Sequence, residues 1–110
     1  MDFTDRIERL EVFEERVGCR LEALYCEFTK LGSSNYITIN GEVHGREGAN
    51  ISKSFILKIS IYDDAGRLIA ESAAGHWSVE KFFGFATFSA TVMVAGELTP
   101  VKVRLIPNAK

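Results

Sequence analysis

Few side chains of the sequence have the types and spacing that chemistry requires. The two cysteines, Cys19 and Cys26, are seven positions apart, and the two histidines, His44 and His76, have no partners at the spacing of a zinc site. Residues seven apart face opposite sides of a strand at a distance of about 23 Å, and in a helix they are about 10 Å apart, which is too far for a disulfide. We therefore predict two reduced thiols and no bound metal or other cofactor.

One carboxylate pair, Asp63-Asp64, has the composition of a Ca²⁺ or acid–base site. Neighbouring residues at a strand end point to opposite sides, so they do not converge as a catalytic pair must. The chemistry of a hairpin turn accounts for both residues. The sequence contains neither the G-x-S-x-G motif of a serine nucleophile nor a phosphate-binding P-loop. We therefore predict that the protein is not an enzyme.

The charge balance excludes some classes of partner. Lys and Arg number 13 against 15 Asp and Glu, for a net charge of −2, and the basic residues are scattered. Binding to a nucleic acid backbone needs clustered basic residues, so no nucleic acid partner is predicted. No apolar run approaches the ~20 residues of a membrane span. The acidic start, residues 1–5, has no apolar segment of a signal peptide, and we expect a cytoplasmic protein.

Most of the chain has the pattern of β-strands. Apolar and polar residues alternate in five segments, which are residues 35–44, 55–62, 67–71, 87–94 and 101–106. Gly, Pro and Asp residues separate these segments, and no helical pattern lies between them. The sheets should therefore be antiparallel, and the apolar faces of two sheets must meet in a sandwich or a small barrel.

The N-terminal third is compatible with two structures. Apolar residues recur at a heptad spacing that only Glu14 interrupts; they are Phe3, Ile7, Leu10, Val17, Leu21, Leu24, Phe28 and Leu31. One interpretation is a single long coiled-coil helix. The other is a helix over residues 3–16, a break near Gly18 and a first strand over residues 20–30. We favour the second, because glycine is costly inside a helix. It divides the chain into an N-terminal helix, 1–18, and a β-sandwich domain, 19–110.

Several strand and turn motifs together resemble a known family. They are Tyr36–His44, the pair Tyr62-Asp63 with Gly66, the aromatic segment Phe83-Gly84-Phe85, and Val101–Pro107. This combination resembles the FxLYD-type immunoglobulin-like domains of bacteria over residues 20–107. The resemblance implies a non-catalytic domain and assigns no site residues. The predicted fold is mainly β: an antiparallel immunoglobulin-like β-sandwich of six or seven strands with a short N-terminal helix.

An aromatic run is the most informative feature for function. It comprises Trp77, Phe82, Phe83, Phe85 and Phe88. Strand alternation lets only part of this set face the core, so the others either plug an end of the sandwich or form an exposed patch. Apolar residues on otherwise polar faces extend such a patch; they are Tyr36, Ile56, Tyr62, Ile69 and Met93. The candidate interaction surface is Phe3, Ile7, Leu10, Tyr36, Tyr62, Trp77, Phe83 and Phe85.

Two functions fit these features. The first is a non-enzymatic protein-interaction or assembly module that self-associates, most simply as a homodimer, or docks another protein. In this interpretation the stripe of Phe3, Ile7 and Leu10 on the N-terminal helix pairs with a second copy, although the helix can also cover its own sandwich. The second is a carrier that holds a small apolar ligand between the sheets near Trp77 and Phe85.

Overall fold

The computed structural model describes residues 1–46 and 50–110, which form a two-layered β-sandwich. Its elements in chain order are a 3-10 turn (Thr4–Arg6), β1 (Ile7–Arg9), α1 (Glu11–Val17), β2 (Cys19–Leu31), β3 (Ser34–Gly45), β4 (Phe55–Asp63), β5 (Leu68–Trp77), β6 (Phe85–Ala95) and β7 (Pro100–Ala109). The described residues thus contain seven strands and one short helix, and the predicted fold class is confirmed.

The strands form two sheets. One has four strands in the order β1-β7-β4-β5, and the other has three in the order β2-β3-β6. Neighbouring strands are antiparallel except for β1, which runs parallel to β7. The chain passes from one sheet to the other after β1, after β3, after β5 and after β6, so both sheets are assembled from distant parts of the sequence.

The core lies between the sheets and follows the predicted alternation. Strand β3 is buried at every second residue, and its outward side chains are partly exposed. The largest fully buried side chains include Phe55, Leu57, Ile59 and Ile61 of β4. The period of two therefore assigned the inward faces of these central strands correctly.

The N-terminal segment differs from the helix that we expected over residues 3–16. Only Glu11–Val17 is α-helical; Thr4–Arg6 forms the 3-10 turn, and Ile7–Arg9 instead pairs with Val103–Leu105 of β7. A short isolated helix is marginal in water, whereas the free edge of β7 offers these residues cross-strand hydrogen bonds. The break at Gly18 is confirmed: this residue adopts φ +73°, and its N–H caps the helix by bonding to the carbonyls of Glu14 and Glu15.

A β-bulge in β2 changes the direction of its side chains. Glu22 pairs with Glu42 and Tyr25 with Asn40, so β2 has one more residue than β3 across this interval, and Ala23 has φ +53°. The extra residue reverses the alternation, and both Cys19 and Cys26 face the core. Our expectation that a strand would turn these cysteines to opposite sides is therefore wrong. Both are nevertheless free thiols, as predicted.

Candidate interaction surface

The outer face of the four-stranded sheet is charged, and its charges are paired with one another. Glu8 of β1 contacts Arg104 and lies 3.5 Å from the Nζ of Lys102, both on β7. The hydrogen bond from Arg104 holds the pKa of Glu8 below its usual value. The Arg104 guanidinium also lies over the ring of Tyr62, 4.8 Å from its centroid. The charged groups of Glu8, Lys102 and Arg104 are therefore paired with one another within the chain.

The outer face of the three-stranded sheet is different, because it is poor in basic groups and carries exposed apolar side chains. Cross-strand pairs place Tyr36 beside Met93, Thr38 beside Thr91 and Asn40 beside Ser89. The exposed large apolar residues of this face are Tyr25 (42%), Leu31 (68%), Phe85 (55%) and Met93 (63%). We call this surface, formed by the outward residues of β2, β3 and β6, the three-stranded face.

An aromatic pair marks one end of the three-stranded face. The ring of Phe85 stacks on the imidazole of His44, with 5.3 Å between centroids and 17° between planes. The His44 Nε2 lies 2.9 Å from Glu42 Oε1, which orients the imidazole. Beside it, the N–H of Phe85 donates to the carbonyl of Phe83 (2.8 Å) around Gly84 (φ +78°). This tight turn leaves the Phe83 side chain 84% exposed.

The structure separates the eight residues of the predicted surface. Phe3 is buried against Phe28, with ring centroids 5.4 Å apart, and Trp77 packs between Phe55 (5.5 Å) and Phe88 (6.3 Å). Three further residues are away from the three-stranded face; they are Ile7 and Leu10, both partly buried in the N-terminal segment, and Tyr62 on the opposite sheet. The N-terminal stripe is therefore covered by its own sandwich.

Three of the predicted residues, Tyr36, Phe83 and Phe85, lie on or beside the three-stranded face. Phe85 is opposite His44, and Tyr36 is eight residues from His44 along β3, or about 27 Å at the rise of a strand. The exposed aromatics are thus at opposite ends of the face. Tyr25 and Leu31 were not among the predicted surface residues, although both are outward and exposed on β2.

The cysteines and the aspartate that were considered for catalysis or metal binding lie in surroundings that give them structural roles. Burial raises the pKa of Cys19 to about 12 and that of Cys26 to about 11, which keeps both thiols protonated. Asp63 accepts hydrogen bonds from the N–H groups of Ala65 and Arg67, which confirms its turn role. In the two described ranges, no three His, Cys, Asp or Glu side chains are grouped so that they could hold a metal ion.

No protein-family model matches the chain, and no curated protein matches it in sequence. Among solved structures, the fold is similar to part of a β-glucuronidase from glycoside hydrolase family 2, with a TM-score of 0.51 and 14% sequence identity. The match covers 83% of this chain and 11% of that enzyme. A likeness at this identity concerns the β-sandwich fold alone. As to membranes, none of the helices described is both long and apolar enough to cross one.

Proposed function

We propose that this protein is a non-enzymatic interaction module that self-associates through its three-stranded sheet. One observation supports this proposal above all: the two outer faces of the sandwich differ. Both faces pair charges within the chain, but among the described residues the three-stranded face exposes four large apolar side chains, including Phe85 and Met93 at 55% and 63%, whereas the four-stranded sheet exposes Leu68. Exposed apolar side chains on a flat sheet are typical of a surface that is covered in an assembly.

The surroundings of the nucleophilic groups support a role without catalysis. A protonated, buried thiol is a poor nucleophile, and the pKa values of Cys19 and Cys26 are raised well above neutrality. Two free thiols also fit a reducing compartment, and on this ground we propose a cytoplasmic location.

The narrower assignment to the FxLYD-type domains is likewise a proposal, supported by the positions of its motifs on β3 and at the turn between β4 and β5.

The alternative function, a carrier of small apolar ligands, has less support. The interior beside Trp77 is occupied by Phe55 and Phe88. A surface cleft lined by His76, Trp77 and Phe82 among others has a volume of about 140 Å³. Ligand sites typically measure about 300–1,000 Å³. We therefore favour the interaction module.

Light scattering coupled to size-exclusion chromatography tests this proposal. For a chain of 12.3 kDa we expect a mass that rises to that of a dimer, twice this value, as the concentration approaches about 100 μM. The double variant Phe85→Ser/Met93→Ser should weaken the dimer. Leu68→Ser is the matched control, because Leu68 is 51% exposed on the four-stranded sheet. A wild-type mass that stays at the monomer value throughout would refute self-association.

A further inference from the structure

Strand β6 is an exposed sheet edge. It forms eleven consecutive pairs with β3 without a register shift, from Ser34↔Ala95 to His44↔Phe85. Over the residues described, no backbone hydrogen bond or strand pairing joins its other side to another segment. Between Lys81 and Glu97 the sequence contains no charged residue and no proline. A long, regular and uncharged edge of this kind is a template for another strand.

The other three sheet edges are protected. The edge of β2 carries the bulge, and the segment Met1–Phe3 pairs with its middle: Phe3 N–H donates to the Cys26 carbonyl (2.7 Å) and Phe28 N–H to the Met1 carbonyl (2.8 Å). Strand β1 has only three residues. Strand β5 has two register shifts against β4 and carries Glu71. Bulges, shortness, charge and covering segments are the means by which sheets avoid edge-to-edge pairing. Strand β6 has no bulge, is eleven residues long and has no charged residue, and although β5 of the opposite sheet comes close to it, no described segment forms strand pairs with its free side.

We propose that β6 pairs antiparallel with β6 of a second copy of this chain, which would join the two three-stranded sheets into one sheet of six strands. This inference rests on the proposed self-association and specifies the element that carries it. The side chains of β6 are compatible with pairing across a twofold axis, because the strand has no charged residue and no like charges would face each other. The exposed Phe85 and Met93 lie towards opposite ends of the strand.

The geometry of such a pair explains the exposure of these two residues. With the twofold axis near Ala90, residues whose numbers sum to 180 are directly opposite, and Thr87 faces the partner's Met93. Phe85 is then the diagonal neighbour of the same methionine, within reach of an aromatic ring. Because both copies use the same edge, no free β6 edge remains after pairing. The assembly therefore stops at a dimer and does not grow into a fibre.

A lysine at the centre of β6 tests this pairing. Ser89 is exposed and outward, so Ser89→Lys should leave the sandwich folded while placing two ammonium groups close to the twofold axis. We expect the dimer to weaken by about tenfold or more. The matched control is Thr29→Lys, an exposed outward position on β2, two strands away from β6. This variant should dimerise like the wild type.

The outcomes distinguish the two proposals. A monomeric wild type at about 100 μM would overturn self-association and the pairing with it. If the wild type and Ser89→Lys form equally stable dimers, the β6 pairing is wrong and self-association stands. If Thr29→Lys abolishes the dimer and Ser89→Lys does not, the copies meet through β2 or the open face. Circular dichroism of each variant checks that it is folded.

A cross-linking measurement provides an independent readout that needs no destabilising charge. In a dimer paired through β6, two Ser89→Cys side chains lie close together, and a short bis-maleimide should join them into a covalent dimer. The control is Ser72→Cys, which is also exposed but lies on β5. Efficient cross-linking of the β6 variant alone supports the pairing. Equal cross-linking of both variants, or of neither, contradicts it.

Discussion

The carboxylate of Glu14 and the guanidinium of Arg9 form a bidentate ion pair. Arg9 Nη2 lies 2.8 Å from Glu14 Oε1, and Arg9 Nε lies 3.2 Å from Glu14 Oε2. Glu14 is fully buried, and its Oε1 also accepts a hydrogen bond from the N–H of Leu21 (3.1 Å). The hydrogen bonds that Arg9 donates to Glu14 raise the pKa of Arg9. One carboxylate thus connects β1, α1 and β2.

Removal of this carboxylate should destabilise the fold. Glu14→Ala leaves the buried N–H of Leu21 without an acceptor and opens a cavity, so we expect a loss of about 2–4 kcal/mol in the free energy of unfolding. Glu14→Gln is the control, since it keeps the volume and one acceptor oxygen and should cost about 1 kcal/mol. Urea denaturation measures both. An alanine variant as stable as the wild type would show that the buried pair contributes nothing.

Gly18 should be intolerant of any side chain. It has φ +73°, and a Cβ atom there would overlap Ser52 Oγ and lie 2.7 Å from the Ser52 backbone nitrogen. We expect Gly18→Ala to cost about 2 kcal/mol or more, from the left-handed conformation and the clash together. Gly66→Ala is the matched control, because Gly66 has φ +80° with no atom within 4 Å. It should cost about 1 kcal/mol. Equal losses in urea denaturation would refute the clash.

The two thiols should be unreactive while the protein is folded. Burial raises the pKa of Cys19 to about 12 and that of Cys26 to about 11, so the reactive thiolate is scarce at pH 8. We expect almost no reaction with Ellman's reagent in buffer and two reactive thiols in concentrated urea. The exposed Ser72→Cys variant is the positive control and should add one thiol that reacts at once. Prompt reaction of the wild type would contradict the burial of both cysteines.

Asp63 should contribute to acid sensitivity. Hydrogen bonds from the backbone of Arg67 and Ala65, together with the Arg67 guanidinium, lower the pKa of this carboxyl group below 3.8. A group whose pKa is lower in the folded state stabilises the fold above its unfolded pKa, and this stabilisation is lost as the pH falls through the folded pKa.

The measurement is the urea midpoint as a function of pH. Between pH 5 and about 2, the wild type should lose more stability than Asp63→Asn, which has no carboxylate to protonate. The neighbouring Asp64 is exposed, so Asp64→Asn should follow the wild type. Parallel curves for the wild type and Asp63→Asn would show that this turn does not contribute to the pH dependence.

Much of the sandwich could be predicted from local pattern. The alternation in β3, β4, β6 and β7 identified these strands and most of their inward faces, since a half-buried strand must alternate. Of the candidate surface, three residues, Tyr36, Phe83 and Phe85, lie on or beside the three-stranded face. The burial of Phe3 and Trp77 in the core could not be predicted, because the sequence alone does not show whether the core or a partner covers an apolar side chain.

The sequence by itself determined most of the strands, their turns and the end of α1 at Gly18, because these depend on period-two burial and on the backbone freedom of glycine. Only the tertiary structure decided the rest. Residues 7–9 became a strand because β7 offered a free edge, and Glu14, which interrupts the heptad pattern, could be buried because Arg9 faces it. The exposure of β6 as an edge likewise follows from the strand order, which joins residues far apart in the chain.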